Sequence, residues 1–220
     1  MPQKNKEEIM KQKEQVRVIA EMAILIGVAV VLDVVFGILS QGIFPWGGSI
    51  SPAMLPIFIL AYRRGVKVGL FSGFIFAFIQ LMIAGMISSS VIAAIPDSPY
   101  IGPKWLEMVM VYLLDYLIPF TLLGLAGIFK NTLTNLKPFF LGMVLASFIR
   151  YLSHGISGVI IWGSYTEWFN EEFNTNVSPF IYSFVVYNLP YMVASLIFCM
   201  AIGYVLFKRD IVTVNLPKES

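Results

Sequence analysis

Charge is what this sequence most conspicuously lacks: only 13% of its 220 residues are Asp, Glu, Lys or Arg. A water-soluble domain carries about 25%, so this chain has too little charge to coat a surface facing water. Histidine and cysteine are scarcer still, at one each. A lone His154 excludes a His-rich metal site, and a lone Cys199 excludes an intrachain disulfide and any Cys-based metal spacing. No G-x-x-x-x-G-K-[ST] loop is present, so ATP hydrolysis through that motif is excluded. Neither an H-E-x-x-H motif nor the paired aspartates of an intramembrane protease occur. No catalytic residue, metal or cofactor is therefore expected, and nucleic acid is not an expected partner.

What is present is apolar length. Hydrophobic residues make up 58% of the chain, and Met22–Val31, Leu70–Ile87 and Phe139–Ile149 contain no charge at all. A helix needs about 20 apolar residues to cross a bilayer. Strands of a membrane barrel would alternate apolar and polar residues, and these runs do not. The expected fold is all-α, an integral membrane protein of six transmembrane helices at roughly 17–39, 50–62, 67–91, 104–129, 138–162 and 179–207. The second is short, opens on Pro52 and Pro56, and follows a turn-rich loop, Phe44–Ser49, expected to fold back at membrane depth. The polar, mixed-charge start and the length of the first apolar run do not fit a secretory signal peptide.

The few cations set an orientation. Lys4, Lys6, Lys11, Lys13 and Arg17 precede the first helix, Arg63, Arg64 and Lys67 join the second and third, and Lys130 and Lys137 join the fourth and fifth. Lys208, Arg209 and Lys218 follow the sixth, while the opposite loops hold only Lys104. Positive residues collect on the cytoplasmic side. The expectation is a multi-pass protein of the cell membrane with both termini cytoplasmic: an N-terminal tail at 1–16, a six-helix domain at 17–209 and a C-terminal tail at 210–220. The N-terminal tail reads equally as an amphipathic helix on the inner leaflet or as a solvated segment.

Ionisable groups within membrane spans are costly and point to function. Here they are Glu21, Asp33, Glu107, Asp115, Arg150 and His154. His154, Gly158 and Trp162 recur at i, i+4 and i+8, which places them on one helix face, with Gly158 expected to leave a hollow between the two rings. Asp115–Tyr116 has no adjacent Lys or Arg, so the acid needs a partner, either a structural one in Arg150 or His154, or a ligand. Aromatics crowd the ends opposite the cations: Trp46, Tyr100, Trp105, Trp162, Tyr165, Trp168, Tyr182 and Tyr187, with Asn188 beside the last. Some form an interfacial belt. Rings with one acid, an amide and an imidazole also suit a flat, cationic, hydrogen-bonding heterocycle. An alternative is a membrane-embedded enzyme with Asp115 and His154 as an acid–base pair.

Four stretches in order resemble the thiamine-specific S component of energy-coupling factor (ECF) transporters. They are Ala53–Gly65 preceded by Gly47-Gly48-Ser49, Leu114-Asp115-Tyr116 followed by Gly124–Gly127, Arg150–His154, and Gly158 with Trp162-Gly163. The resemblance spans nearly the whole chain. It implies the six-helix S-component fold, capture of extracellular thiamine, and a partner consisting of a transmembrane coupling protein with two cytoplasmic ATPases, all in membrane lipid. An S component for another vitamin is the nearest alternative. The resemblance places ligand contacts at Trp46, Asp115, Tyr116, His154, Gly158, Trp162, Tyr182 and Asn188, with Trp105 as a further aromatic. It also assigns a small-residue patch on the first helix, Ala23 and Gly27, to the coupling protein; packing within the chain is the alternative for that patch. Two departures stand out: Asp115 replaces a longer Glu, and the interval from Tyr182 to Asn188 is one residue longer. Either Tyr187 takes the place of Tyr182 or a helical bulge absorbs the extra residue.

Overall fold

The computed structural model describes residues 3–40, 42–44, 48–86, 88–93, 95–130 and 135–213. Among them no strand occurs, and the chain is all-α. The elements are α1 (Gln3–Leu39), α2 (Met54–Arg64), α3 (Val66–Ile83) and α4 (Ser89–Ala93), followed by α5 (Lys104–Phe129), α6 (Leu136–Ile160), α7 (Tyr165–Glu172) and α8 (Pro179–Lys208). Five of these, α1, α3, α5, α6 and α8, are long and apolar enough to cross a membrane. The sixth expected helix is α2, whose 11 residues reach only about 16 Å. It survives because protein surrounds it: Met54 to Tyr62 are all buried. Other helices satisfy the apolar contacts that lipid would otherwise supply.

α1 differs most from expectation. It runs unbroken for 37 residues from Gln3, roughly 55 Å at helical rise, so the polar start is helical and continuous with the first span. Its exposed Val16, Ile19, Ile24, Val28, Val31, Val34 and Val35 mark a peripheral helix with most of its surface turned outward. α3 ends at Ile83, short of the expected 91, and the short α4 follows it.

Two helices change pitch. α5 widens to i→i+5 turns over Tyr112–Leu117 and tightens to 3₁₀ turns over Leu122–Phe129. α8 widens over Tyr182–Asn188. Both wide segments lead into a proline, Pro119 and Pro190. Proline lacks an N–H and its ring clashes with the carbonyl four residues back, here those of Asp115 and Val186, and a wider turn relieves that clash. The second widening spans the interval from Tyr182 to Asn188, where a helical bulge was one of the two alternatives.

The helices meet through small residues. A Cβ on Gly124 would stand 2.1 Å from the Leu70 nitrogen, and one on Gly127 would stand 2.5 Å from the Ala61 oxygen. The 3₁₀ pitch stacks residues i and i+3, so Gly124 and Gly127 form one ridge against α2 and α3. In lipid, such close approach supplies the dispersion contacts that hold helices together.

One end of the bundle is basic. Arg63 and Arg64, at the α2–α3 turn, ion-pair with Glu21 of α1, and Arg64 also pairs with Glu14. Arg63 Nε donates to the Val212 carbonyl at 3.0 Å, so the chain end returns to the same place. Glu21 is thus explained by its two partners.

Candidate functional site

At the end opposite the basic cluster, the halves of α1, α3, α5, α6 and α8 enclose a cavity of about 820 Å³. Its centre is Asp115, brought inward by the wide turn of α5. Trp162 Nε1 donates to Asp115 Oδ2 at 2.9 Å. His154 Nδ1 lies 3.4 Å from Asp115 Oδ1, and Arg150 Nε donates to His154 Nε2 at 3.3 Å. An imidazole nitrogen that accepts from a guanidinium carries no proton, so the His154 proton is on Nδ1 and faces the carboxylate. The result is a directed chain from Arg150 through His154 to Asp115. Of the two structural partners expected for the acid, His154 contacts it and Arg150 acts through His154. The Arg150 guanidinium also lies 4.7 Å from the centre of the Phe120 ring.

Trp162 falls just beyond the last residue of α6, Ile160. It shares the cavity with His154 and Gly158, but the chain has left the helix when it reaches the indole. Gly158 lines the cavity between His154 and Trp162 and also lets α8 approach. A Cβ there would stand 1.9 Å from Ser183 Oγ, so the missing side chain admits α8.

α8 contributes Tyr182, Ser183, Tyr187, Asn188 and Tyr191. Both tyrosines of the earlier alternative line the cavity, their rings 6.2 Å apart. Asn188 donates from Nδ2 to the Ser183 carbonyl at 2.8 Å and accepts at Oδ1 from the Tyr191 hydroxyl at 2.6 Å. It thereby satisfies a carbonyl within the widened turn, a need that the wide pitch creates. Tyr116 and Phe120 complete the α5 wall.

Trp105 stands apart. It is 64% exposed and does not line the cavity. Its neighbour two positions on, Glu107, is 1% exposed; residues two apart lie on nearly opposite sides of a helix, so burying one turns the other out. Glu107 Oε1 accepts from the Ser98 N–H at 2.6 Å, and its Oε2 lies 3.0 Å from Lys104 Nζ, which anchors the segment before α5 at the cavity end. Trp46 lies outside the described residues.

Several lining residues carried weak signals or none. Gln80 is the lone amide in the apolar run Leu70–Ile87, and Asp33 and Arg150 were visible as ionisable groups within spans. Phe120 and Tyr191 are ordinary aromatics that pattern alone does not single out.

The patch on α1 is legible too. Ala23 and Gly27 are exposed, and nothing lies within 4 Å of a Cβ added to Gly27. The small residue that does pack inside the chain is Ala29, at 0% exposure.

Comparison with known proteins agrees along about nine-tenths of the chain. The chain is 29% identical over 208 residues to the thiamine transporter ThiT of Bacillus subtilis, covering 90% of this chain and 94% of that one. It is 26% identical over 207 residues to the thiamine transporter ThiT of Lacticaseibacillus paracasei, covering 90% of each. A solved structure of ThiT from Listeria monocytogenes superposes with a TM-score of 0.65 at 19% identity, covering 89% of this chain and 96% of that one, and so shares the fold. The family described as thiamine transporter protein (Thia_YuaJ) matches residues 19–215. That family comprises transporters rather than enzymes, which removes the acid–base reading of Asp115 and His154; this multi-pass membrane protein belongs to the thiamine transporter protein family.

Proposed function

We propose that this chain is the thiamine-capturing S component of an ECF-type uptake transporter. It takes thiamine from outside into the cavity around Asp115 and docks on a transmembrane coupling protein driven by two ATPases. The observation that carries the reading is a carboxylate braced by Trp162 and His154 inside an aromatic chamber. Thiamine presents an aminopyrimidine and a permanently cationic thiazolium. Asp115 receives the hydrogen-bonding edge of the pyrimidine, with His154 and Asn188 beside it. Trp162, Tyr116, Tyr182 and Tyr187 offer ring faces, and Trp46 and Trp105 are further aromatic contacts that the family resemblance implies. Gly158 sets the approach of α8. The sequence carries no ATP-binding loop of its own, which fits a subunit served by a separate ATPase motor.

Titrating intrinsic Trp fluorescence of the purified protein tests this. Thiamine should quench it saturably at low concentration, and riboflavin should not. Tight riboflavin binding would move the assignment to another vitamin.

The basic end is assigned to the cytoplasm, together with both termini, on the positive-inside rule. With Cys199 replaced, a Cys at Ser164 should react with an impermeant thiol reagent on intact cells, and one at Lys130 should not. The reverse pattern would invert the topology.

A further inference from the structure

The cavity contains a second carboxylate whose charge is not explained by its protein contacts. Asp33, on the cavity half of α1, accepts at Oδ1 from Ser51 Oγ at 2.9 Å and at Oδ2 from Gln80 Nε2 at 2.7 Å. Both donors are neutral, and both residues are 5% exposed. Among the described residues no Lys, Arg or His nitrogen lies within ion-pair distance of Asp33. An anion in such a place is expensive. Linking α1 to α3 and to the start of α2 does not require it, since an Asn would fit the same volume and offer hydrogen bonds to both neighbours without the charge. Each carboxylate oxygen also retains a second lone pair, and Asp33 lines the cavity.

The charges of the chamber then do not balance. It holds two carboxylates, Asp33 and Asp115, and one guanidinium, Arg150. Arg150 is bonded to His154 and lies over Phe120, out of ion-pair range of both acids. With His154 neutral, these side chains sum to one excess negative charge. Asp115 has its oxygens turned to Trp162 and His154, whereas Asp33 meets only neutral donors.

We propose that Asp33 is a second ligand-binding acid that receives the positive charge of the ligand, while Asp115 holds its hydrogen-bonding ring. The inference rests on the thiamine reading above. It divides recognition between two walls: the α5–α6 wall reads shape and hydrogen bonds, and the α1–α3 wall reads charge. A monocation neutralises the chamber, and a phosphorylated ligand would add negative charge to one already in excess.

Calorimetry on the purified full chain tests the division. The ligands are thiamine and its neutral analogue, in which a thiophene replaces the thiazolium. Wild type should prefer thiamine. In Asp33→Asn that preference should collapse: thiamine affinity falls by on the order of tenfold or more, the loss of a charge-assisted contact, and affinity for the neutral analogue changes little. Retained binding of the analogue also reports that the variant is folded. Asp33→Glu should restore part of the preference, and Asp115→Asn should weaken both ligands alike. Equal losses for the two ligands in Asp33→Asn would make Asp33 a packing residue and overturn the inference. Undiminished thiamine affinity in that variant would overturn it alone, leaving the function in place. Failure of wild type to bind thiamine would overturn the functional reading and this inference with it.

Discussion

α5 is two different helices at its two ends, and the difference separates the tasks of the molecule. Over Tyr112–Leu117 it is widened and faces the cavity, whereas over Leu122–Phe129 it is tightened and faces the small residues of α2 and α3. The wide part turns Asp115 and Tyr116 into the cavity, where they can meet a ligand. The tight part aligns Gly124 and Gly127 and brings backbones into contact, where nothing can enter. Pro119 sits between them. α8 repeats the wide half of this device before Pro190, and Asn188 closes off the loosened turn. Binding and rigidity are therefore assigned to opposite ends of the same helices.

The largest effect should come from spoiling the tight end. Gly124→Leu forces a side chain into the backbone of Leu70, where even a Cβ would stand 2.1 Å away. Overpacking in an adaptable core costs about 1–3 kcal/mol, and a backbone wall adapts less than side chains do. The variant should lose thiamine binding completely and run as aggregate on size-exclusion chromatography in detergent. A monodisperse, thiamine-binding Gly124→Leu protein would show that the seam is loose and that the contrast between the two ends is only apparent.

Spoiling the wide end should leave the fold and weaken the ligand. Asp115→Asn removes the charge that Trp162 and His154 converge on. Losing a charge-assisted contact in a site shielded from water costs about 1.5–3 kcal/mol, or roughly 10–150-fold in affinity. Trp162→Ala should cost at least as much, through lost ring contact as well as the lost N–H. Both proteins should elute as wild type does. Wild-type affinity in Asp115→Asn would remove the acid from the centre of the site.

The two ends were not equally legible in the sequence. The site end announced itself through chemistry: an acid in one apolar span, and an imidazole and an indole at helical spacing in another, are rare enough to stand out, and Asp115, His154 and Trp162 do converge. What stayed hidden was the backbone that brings them together. A widened turn has no residue signature beyond the following proline, so α5 read as a regular helix, and only the extra residue before Asn188 hinted at the turn in α8. Gly158 was visible, but its packing against Ser183 was not, because a glycine on a site-facing stripe does not show which helix approaches it. The outward turn of Trp105 followed from the burial of Glu107, which the sequence pattern did not show. The length of α1 was missed because polar residues end a membrane span without ending a helix.

The smallest effect on binding should come from α1, which belongs to neither end of the comparison. Ala23 and Gly27 lie in its half nearer the basic end, exposed on a helix whose outward surface is largely apolar. Small residues open a groove in which another helix can approach closely, and the alternative of packing within the chain is met instead by Ala29. Gly27→Trp fills that groove without touching this chain, since nothing lies within 4 Å of a Cβ there. Thiamine affinity of the solitary subunit should stay within about threefold of wild type, under the ~1.4 kcal/mol that a tenfold change requires. ATP-dependent thiamine uptake and co-purification with the coupling protein should be lost. Uptake at the wild-type rate would mean that the coupling protein docks elsewhere. A collapse in affinity would mean that the outward face of α1 governs the cavity after all, and the separation between the two ends of the bundle would not hold.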